Sequence, residues 1–227
     1  MWRKLKILSL IHIFRAVLFD MDGLMFDTER LATETWMELG RRHGIPVTRE
    51  LMDETRGRPL EDCVRIFKKH LGQDFDFFKH RGERKRYMDA YLEEHGLPVK
   101  PGLGRLLGYL RENGYKTALA TSTHAETAGA YLKIAGVEEY FDCKVFGDMV
   151  ERGKPNPDIY LRAAKLLGIP PEECLVLEDS PCGVCAGWRA GCRVIMIPDL
   201  VEPSGEDLER ADACVPSLNE VISYLEN

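Results

Sequence analysis

Two carboxylates one residue apart follow an apolar run in Ala16-Val17-Leu18-Phe19-Asp20-Met21-Asp22-Gly23. Close carboxylates repel and raise each other's pKa unless a cation sits between them. A hard divalent ion with oxygen ligands, Mg²⁺ above all, relieves that repulsion. Three other stretches carry groups that suit a phosphate ester. Thr121-Ser122-Thr123-His124 places hydroxyls at the start of a helix, where free backbone N–H groups bind phosphate. Arg152-Gly153-Lys154-Pro155-Asn156-Pro157-Asp158 holds a lysine in a Pro/Gly loop before another helix, placed as a point charge for a phosphate oxygen. Leu177-Glu178-Asp179-Ser180 ends a further apolar run in two more acids. Each has a plainer reading: an acidic turn, a helix cap, a solvated lysine, a cap and turn. The set in this order suits one phosphate and one metal.

The elements that position these groups follow from the pattern. A short continuous apolar run is a buried strand, and in an open parallel sheet chemistry lies beyond the carboxyl ends of the strands. After Gly23, Asp27 or Thr28 is a good N-cap, and Leu31, Thr35, Trp36 and Leu39 recur at helical spacing up to Gly44-Ile45-Pro46. A second helix starts after Thr48 and breaks at Arg56-Gly57-Arg58-Pro59. Leu60–Leu71 makes a third. Residues 75–95 form a charged fourth, with Phe77, Phe78, Tyr87, Met88 and Tyr91 as its apolar component. The Pro/Gly-rich stretch 96–102 is a hinge.

Beyond it, helix and strand alternate. Strands are expected at 115–121, 143–146, 174–177, 193–197 and 213–215, with helices between and after them. Alternating βα units predict a parallel sheet covered by helices on both faces. The fold expected is therefore α/β, a doubly wound parallel sheet with an inserted all-helical cap domain. The core would comprise residues 15–27 and 98–227, the cap 28–97, and residues 1–14 a leader.

The 227 residues carry a net charge of −6, with 44% hydrophobic and 30% charged residues, ordinary for a globular protein. No basic excess points to a nucleic-acid partner, and no apolar run approaches the ~20 residues of a spanning helix. Seven cysteines, odd in number and set in apolar surroundings such as Glu173-Cys174-Leu175-Val176-Leu177, suit a reduced, cytoplasmic chain. Cys182-Gly183-Val184-Cys185 has a redox or half-zinc spacing, but with no second pair or nearby His the reading is packing. The leader has basic residues and then an apolar stretch, but His12 interrupts it and no small-residue cleavage site follows. It is expected to be extraneous or poorly ordered, and Leu8–Ile13 resembles translated sequencing-adapter sequence.

The four motifs, in this order, resemble those of the haloacid dehalogenase-like (HAD) superfamily of phosphotransferases. Asp20-Met21-Asp22-Gly23 matches the first, Thr121 the second, Lys154 the third and Glu178-Asp179 the fourth. The likeness runs from about residue 15 to the C-terminus. The helical insert after the first motif is similar to that of the beta-phosphoglucomutase-like and small-sugar-phosphate phosphatase branch. The resemblance implies Asp20 as nucleophile, forming an aspartyl phosphate, and Asp22 as the acid that protonates the leaving alcohol and then the base that activates water. It implies Mg²⁺ held by Asp20, the backbone carbonyl of Asp22, Asp179 and Glu178. Thr121, Ser122, Gly23 and Lys154 would bind the phosphate. Thr28, Arg56, Gly57, Arg58 and His124 are the candidate substrate and cap contacts. The basic run Lys79, Arg81, Arg84, Lys85 and Arg86 is a solvated helix face or, alternatively, reaches a distal anion.

A sugar-phosphate mutase and a phosphatase share all four motifs. The mutase branch carries a His four residues after the hinge Thr, where this chain has Ala32. It also carries an Arg three residues beyond the cap-loop glycine, where this chain has Leu60. The expectation is therefore an Mg²⁺-dependent phosphatase, monomeric, acting on a small sugar-phosphate-like metabolite. A mutase is the alternative, and a non-catalytic phosphometabolite-binding module on the same fold a further one.

Overall fold

The computed structural model describes residues 14–226, so the leader expected at 1–14 lies outside the described residues except for Phe14. The chain divides into two compact units, one of residues up to Phe26 together with those from Val99 onward, the other Asp27–Pro98.

In chain order, β1 (Ala16–Phe19) opens the first unit. Its four residues are fully buried, as a central strand of an apolar run must be. The second unit holds four helices, α1 (Thr28–His43), α2 (Arg49–Thr55), α3 (Leu60–Leu71) and α4 (Phe77–His95). Asp27 stands at the N-cap of α1 without a side-chain cap hydrogen bond; its carboxylate pairs with Arg30 instead, at 3.1 Å. Thr48 does cap α2, accepting from the Leu51 N–H at 3.2 Å. The unit has its own core of Trp36, Leu39, Val47, Leu51, Met52, Ile66, Phe67 and Phe77, with the Trp36 and Phe67 rings 4.6 Å apart. Of the apolar residues expected on α4, Phe77 and Met88 are buried while Phe78 and Tyr91 are exposed.

The first unit resumes with α5 (Leu103–Glu112), β2 (Lys116–Ala120), α6 (Ala125–Ala135), β3 (Cys143–Val145), α7 (Asp158–Leu167) and β4 (Cys174–Glu178). It ends with α8 (Pro181–Arg189), β5 (Arg193–Met196), α9 (Gly205–Arg210), β6 (Ala213–Cys214) and α10 (Asn219–Glu226). The six strands are all parallel in the order β3-β2-β1-β4-β5-β6. Side chains alternate across the sheet. Ala16, Leu18, Ala118, Ala120, Cys174, Val176, Val194 and Met196 share one core with Ile159, Tyr160, Ala163 and Ala164 of α7 and with α8. The residues between them, such as Val17, Phe19, Leu119, Leu175, Leu177 and Ile195, are equally buried, and α5, which packs on β2, also packs against α10. This is a doubly wound α/β sheet. From β1 the chain reaches β2 and β3 on one side and then crosses to β4 on the other. That reversal makes a switch point beside β1, where such sheets bind ligands.

None of the seven cysteines is in a disulfide. Burial pushes the Cys143 thiol up to about 11 and those of Cys174 and Cys192 to about 12, as expected of cysteines used for packing. Cys182 and Cys185 lie one turn apart on α8, Cys185 buried. No described helix is long and apolar enough to cross a membrane.

Candidate active site

β1, β2 and β4 run side by side in register, Phe19 opposite Leu119 and Leu177, so the residues that follow them emerge together. The strand alternation that turns Leu18 toward α7 also turns Asp20 that way, and Glu178 follows Val176. Lys154, in the loop before α7, reaches between them. Its Nζ donates to Asp20 Oδ1 at 2.5 Å, to Glu178 Oε1 at 2.7 Å and to the Ala120 carbonyl at 3.0 Å. The lysine side chain is 6% exposed, Asp20 10% and Glu178 not at all. Three ammonium protons therefore meet three acceptors, each at the end of a different strand.

Glu178 is the better satisfied of the two acids. Besides Lys154, it accepts from Tyr160 Oη at 2.7 Å, the Asp179 N–H at 3.0 Å, the Ser180 N–H at 3.1 Å and Ser180 Oγ at 3.0 Å. Burial alone would raise its pKa, but Lys154 and these donors hold it below the usual carboxylate value. Asp20 has no such set of donors. Burial raises its carboxyl, Lys154 pulls it down, and the charges of Glu178 and Asp22 push it up again. The result is a carboxyl at about 8. Burial disfavours the charged lysine, but the two carboxylates outweigh it and keep the ammonium protonated. The Lys154 ammonium also stands 4.9 Å from the centre of the Tyr160 ring.

Asp20, Glu178 and Asp179 bring carboxylate oxygens within 4.8 Å of one another, a grouping of three ligand-type side chains among the described residues. Asp22 is close enough for its charge to raise the Asp20 carboxyl, and every ligand-type atom of the grouping is a hard oxygen. That set fits a hard divalent cation and excludes a thiolate-loving one. Gly23 sits in the left-handed region, φ 86°, and a Cβ there would collide with the Asp179 carboxylate. The glycine is thus required twice, by its backbone and by the room it leaves for an acid.

Asp22 begins the turn after β1. Its carboxylate accepts from Thr123 Oγ1 at 2.6 Å. Thr121, buried at the end of β2, accepts on its hydroxyl from the Thr123 N–H at 3.1 Å. Ser122 and His124 are exposed. The Gly23 N–H donates to the Phe26 carbonyl at 2.8 Å, which removes it from the donors that a phosphate was expected to meet.

The structure therefore brings together Asp20, Asp22, Gly23, Thr121, Lys154, Glu178 and Asp179 in one unit. Thr28, Arg56, Gly57 and Arg58 belong to the helical unit. There Thr28 begins α1 and is buried, Arg56 pairs with Asp53, and Arg58 Nε donates to the Glu54 carbonyl at 2.7 Å. Of the basic run on α4, Lys85 pairs with Asp89 at 2.8 Å, while the Arg84 guanidinium lies 5.8 Å from the Trp36 ring.

Two residues of this constellation escape sequence reasoning. Tyr160 reads as one more apolar residue on α7, and nothing local distinguishes it. Thr123 stands among the hydroxyls before α6, and its distinction is a bond to a residue 101 positions away.

Paired acids, a hydroxyl, a buried lysine and further acids thus gather at the switch point of a parallel α/β sheet, the place where such sheets bind ligands. A family model for haloacid dehalogenase-like hydrolases matches residues 14–191, and the chain belongs to that family. It is 35% identical over 215 residues to a phosphorylated carbohydrates phosphatase of Thermotoga maritima, covering 93% of this chain and 90% of the relative. It is also 35% identical over 209 residues to hexitol phosphatase A of Escherichia coli, covering 91% and 88%. Among solved structures, the beta-phosphoglucomutase of Clostridium difficile shares the fold, with TM-score 0.77 and 24% identity over 94% of this chain and 96% of that one.

Proposed function

We propose that this chain is an Mg²⁺-dependent phosphatase that hydrolyses a small phosphorylated metabolite, sugar-phosphate-like, through an aspartyl phosphate on Asp20. The observation that carries the reading is Lys154, buried and bridging Asp20 Oδ1 and Glu178 Oε1 beside the Asp179 carboxylate. A lysine so placed orients a carboxylate and offsets the charge of an incoming phosphate. The relatives named as phosphatases of carbohydrate and hexitol phosphates support the substrate class.

In this reading Asp20, Asp179 and the backbone carbonyl of Asp22 hold the cation. Glu178, whose oxygens already accept five donors, positions Lys154 rather than ligating. Bound Mg²⁺ supplies positive charge beside the nucleophile and the transferring oxygens. A carboxylate oxygen of Asp20 attacks phosphorus as the ester P–O bond breaks, and the proton on Asp22 passes to the departing alkoxide. A water then attacks the aspartyl phosphate, its proton passes to Asp22, and the bond from phosphorus to Asp20 breaks. Thr121 Oγ1, which already accepts from Thr123, turns its own proton outward as a donor to the phosphate. Lys154 stays protonated throughout.

A mutase uses the same steps but returns the phosphoryl group to sugar instead of to water. Ala32 and Leu60 stand where that branch has cationic or imidazole cap contacts, which favours hydrolysis. The test is phosphate release from a panel of phosphorylated sugars, polyols and nucleotides with Mg²⁺. It includes β-glucose 1-phosphate with a trace of the 1,6-bisphosphate. Inorganic phosphate from one or more members supports the reading. Stoichiometric glucose 6-phosphate without inorganic phosphate assigns a mutase, and no turnover on any member leaves the binding module.

A further inference from the structure

We propose that Thr123 is a positioning residue for Asp22, holding the carboxylate that carries the proton in the rotation needed for transfer to the leaving group. The proposal rests on the phosphatase reading and adds a residue to its machinery. The Thr123 Oγ1–H donates to Asp22 Oδ2 at 2.6 Å, within the range of charge-assisted O–H···O⁻ bonds. Asp22 follows β1 while Thr123 follows β2, so this bond ties two neighbouring strand ends across the face where the reaction is placed.

Thr123 can hold another residue only if it is itself held, and the surrounding backbone does this. Its N–H donates to Thr121 Oγ1 at 3.1 Å. Its carbonyl accepts from the Gly147 N–H at 3.1 Å. A Cβ on Gly147 would collide with the Ser122 carbonyl, so the loops after β2 and β3 meet backbone to backbone. Asp148 Oδ1 then accepts from the Ala125 N–H at 3.1 Å, closing the first turn of α6. Both polar atoms of the Thr123 backbone and its hydroxyl are therefore fixed. One residue sets the hydroxyl expected to bind phosphate, through its N–H, and the acid/base, through its side chain.

A proton donor out of line loses much of its effect, since a misplacement near 1 Å can cost ~10²-fold. The loss depends on the leaving group. An alkoxide needs the proton as its bond to phosphorus breaks, whereas nitrophenolate departs without one. The constant kcat/KM reports steps up to the first phosphoryl transfer, so slower hydrolysis of the aspartyl phosphate does not disturb it.

The experiment measures kcat/KM with Mg²⁺ for p-nitrophenyl phosphate, phenyl phosphate and glucose 6-phosphate in wild type, Thr123→Val and Thr123→Ser. Thermal melts monitor folding. Valine keeps the shape and removes the hydroxyl; serine keeps the hydroxyl. The ratio of kcat/KM for the poorer leaving groups to that for p-nitrophenyl phosphate should fall about 10–100-fold in Thr123→Val. It should stay within about threefold of wild type in Thr123→Ser. An equal loss on all three substrates means a merely structural role and overturns the proposal, as does faster turnover of the poorer leaving groups in Thr123→Val. If the valine variant does not fold, the serine variant decides: a changed ratio there with an intact melt overturns it. If wild type turns over none of the three, the same ratio is read on the alkyl and aryl phosphates of the phosphate-release panel that it does hydrolyse; turnover of no member of that panel overturns the phosphatase reading itself, and this proposal with it.

Discussion

Replacing Lys154 by methionine keeps an unbranched side chain of similar length and removes the charge. The ammonium lies 2.5 Å from Asp20 Oδ1 and 2.7 Å from Glu178 Oε1, with all three side chains nearly excluded from water. Its removal leaves two buried carboxylates facing each other without their cation. Breaking a buried pair by deleting one partner costs about 3–5 kcal/mol. For a chain of this size each kcal/mol moves Tm by about 2–4 °C, so the loss is about 6–20 °C. The sign of its pH dependence follows from Asp20. Its folded-state pKa is already raised, first by burial, and is opposed by Lys154. Without the lysine it rises further above the unfolded value. At low pH both states hold the proton and the deficit is small; it grows as pH rises through the carboxylate range and beyond. Melts followed by circular dichroism in chelator, at about pH 5 and about pH 8, therefore show the larger deficit at the higher pH. A deficit equal at both, or below about 1 kcal/mol, refutes the claim that Lys154 is the buried counter-charge.

Asp20→Asn abolishes turnover but leaves the melt unchanged or raised at about pH 8, because it mimics the protonated carboxyl that burial favours; a large loss of Tm contradicts this. In chelated wild type the same raised carboxyl makes stability fall as pH climbs from the ordinary carboxylate range toward about 8. Added Mg²⁺ then raises Tm more at the upper end of that range than at the lower, which a melt series with and without the ion checks. Gly23→Ala forces a Cβ against Asp179 in a left-handed backbone and weakens Mg²⁺ binding at least about tenfold, read by titration calorimetry. Tyr160→Phe removes one donor from Glu178 and costs about 1.5–3 kcal/mol in the melt.

Much of this was legible from local pattern. The apolar run before Asp20 could only be a buried strand, and the βα alternation after Gly114 dictated parallel neighbours. Element ends were less legible. α8 starts at Pro181, directly after the strand-end acids, because Ser180 caps it and proline suits the first turn. The strand expected at 115–121 is only Lys116–Ala120, although the Thr121 N–H still donates to the Val145 carbonyl of β3 at 3.1 Å. The short 3-10 turns at Glu138–Tyr140, Gly147–Met149 and Pro171–Glu173 carry no periodicity to read. The surroundings of Glu178 were also hidden: it is one of two acids at a strand end, and nothing local shows that Lys154, Tyr160 and Ser180 gather around it. Thr123 and Tyr160 hydrogen-bond to partners distant in sequence, Asp22 and Glu178, which composition and spacing do not encode.

The central claim is covalent: Asp20 carries the phosphoryl group between substrate and water. Wild type mixed with a turned-over substrate and Mg²⁺, quenched in acid within one turnover, is examined by intact and peptide mass spectrometry. The account predicts a single phosphoryl adduct on the peptide holding Asp20, absent without substrate and absent in Asp20→Asn. Turnover by Asp20→Asn, or a phosphoryl group trapped on any other residue, contradicts it.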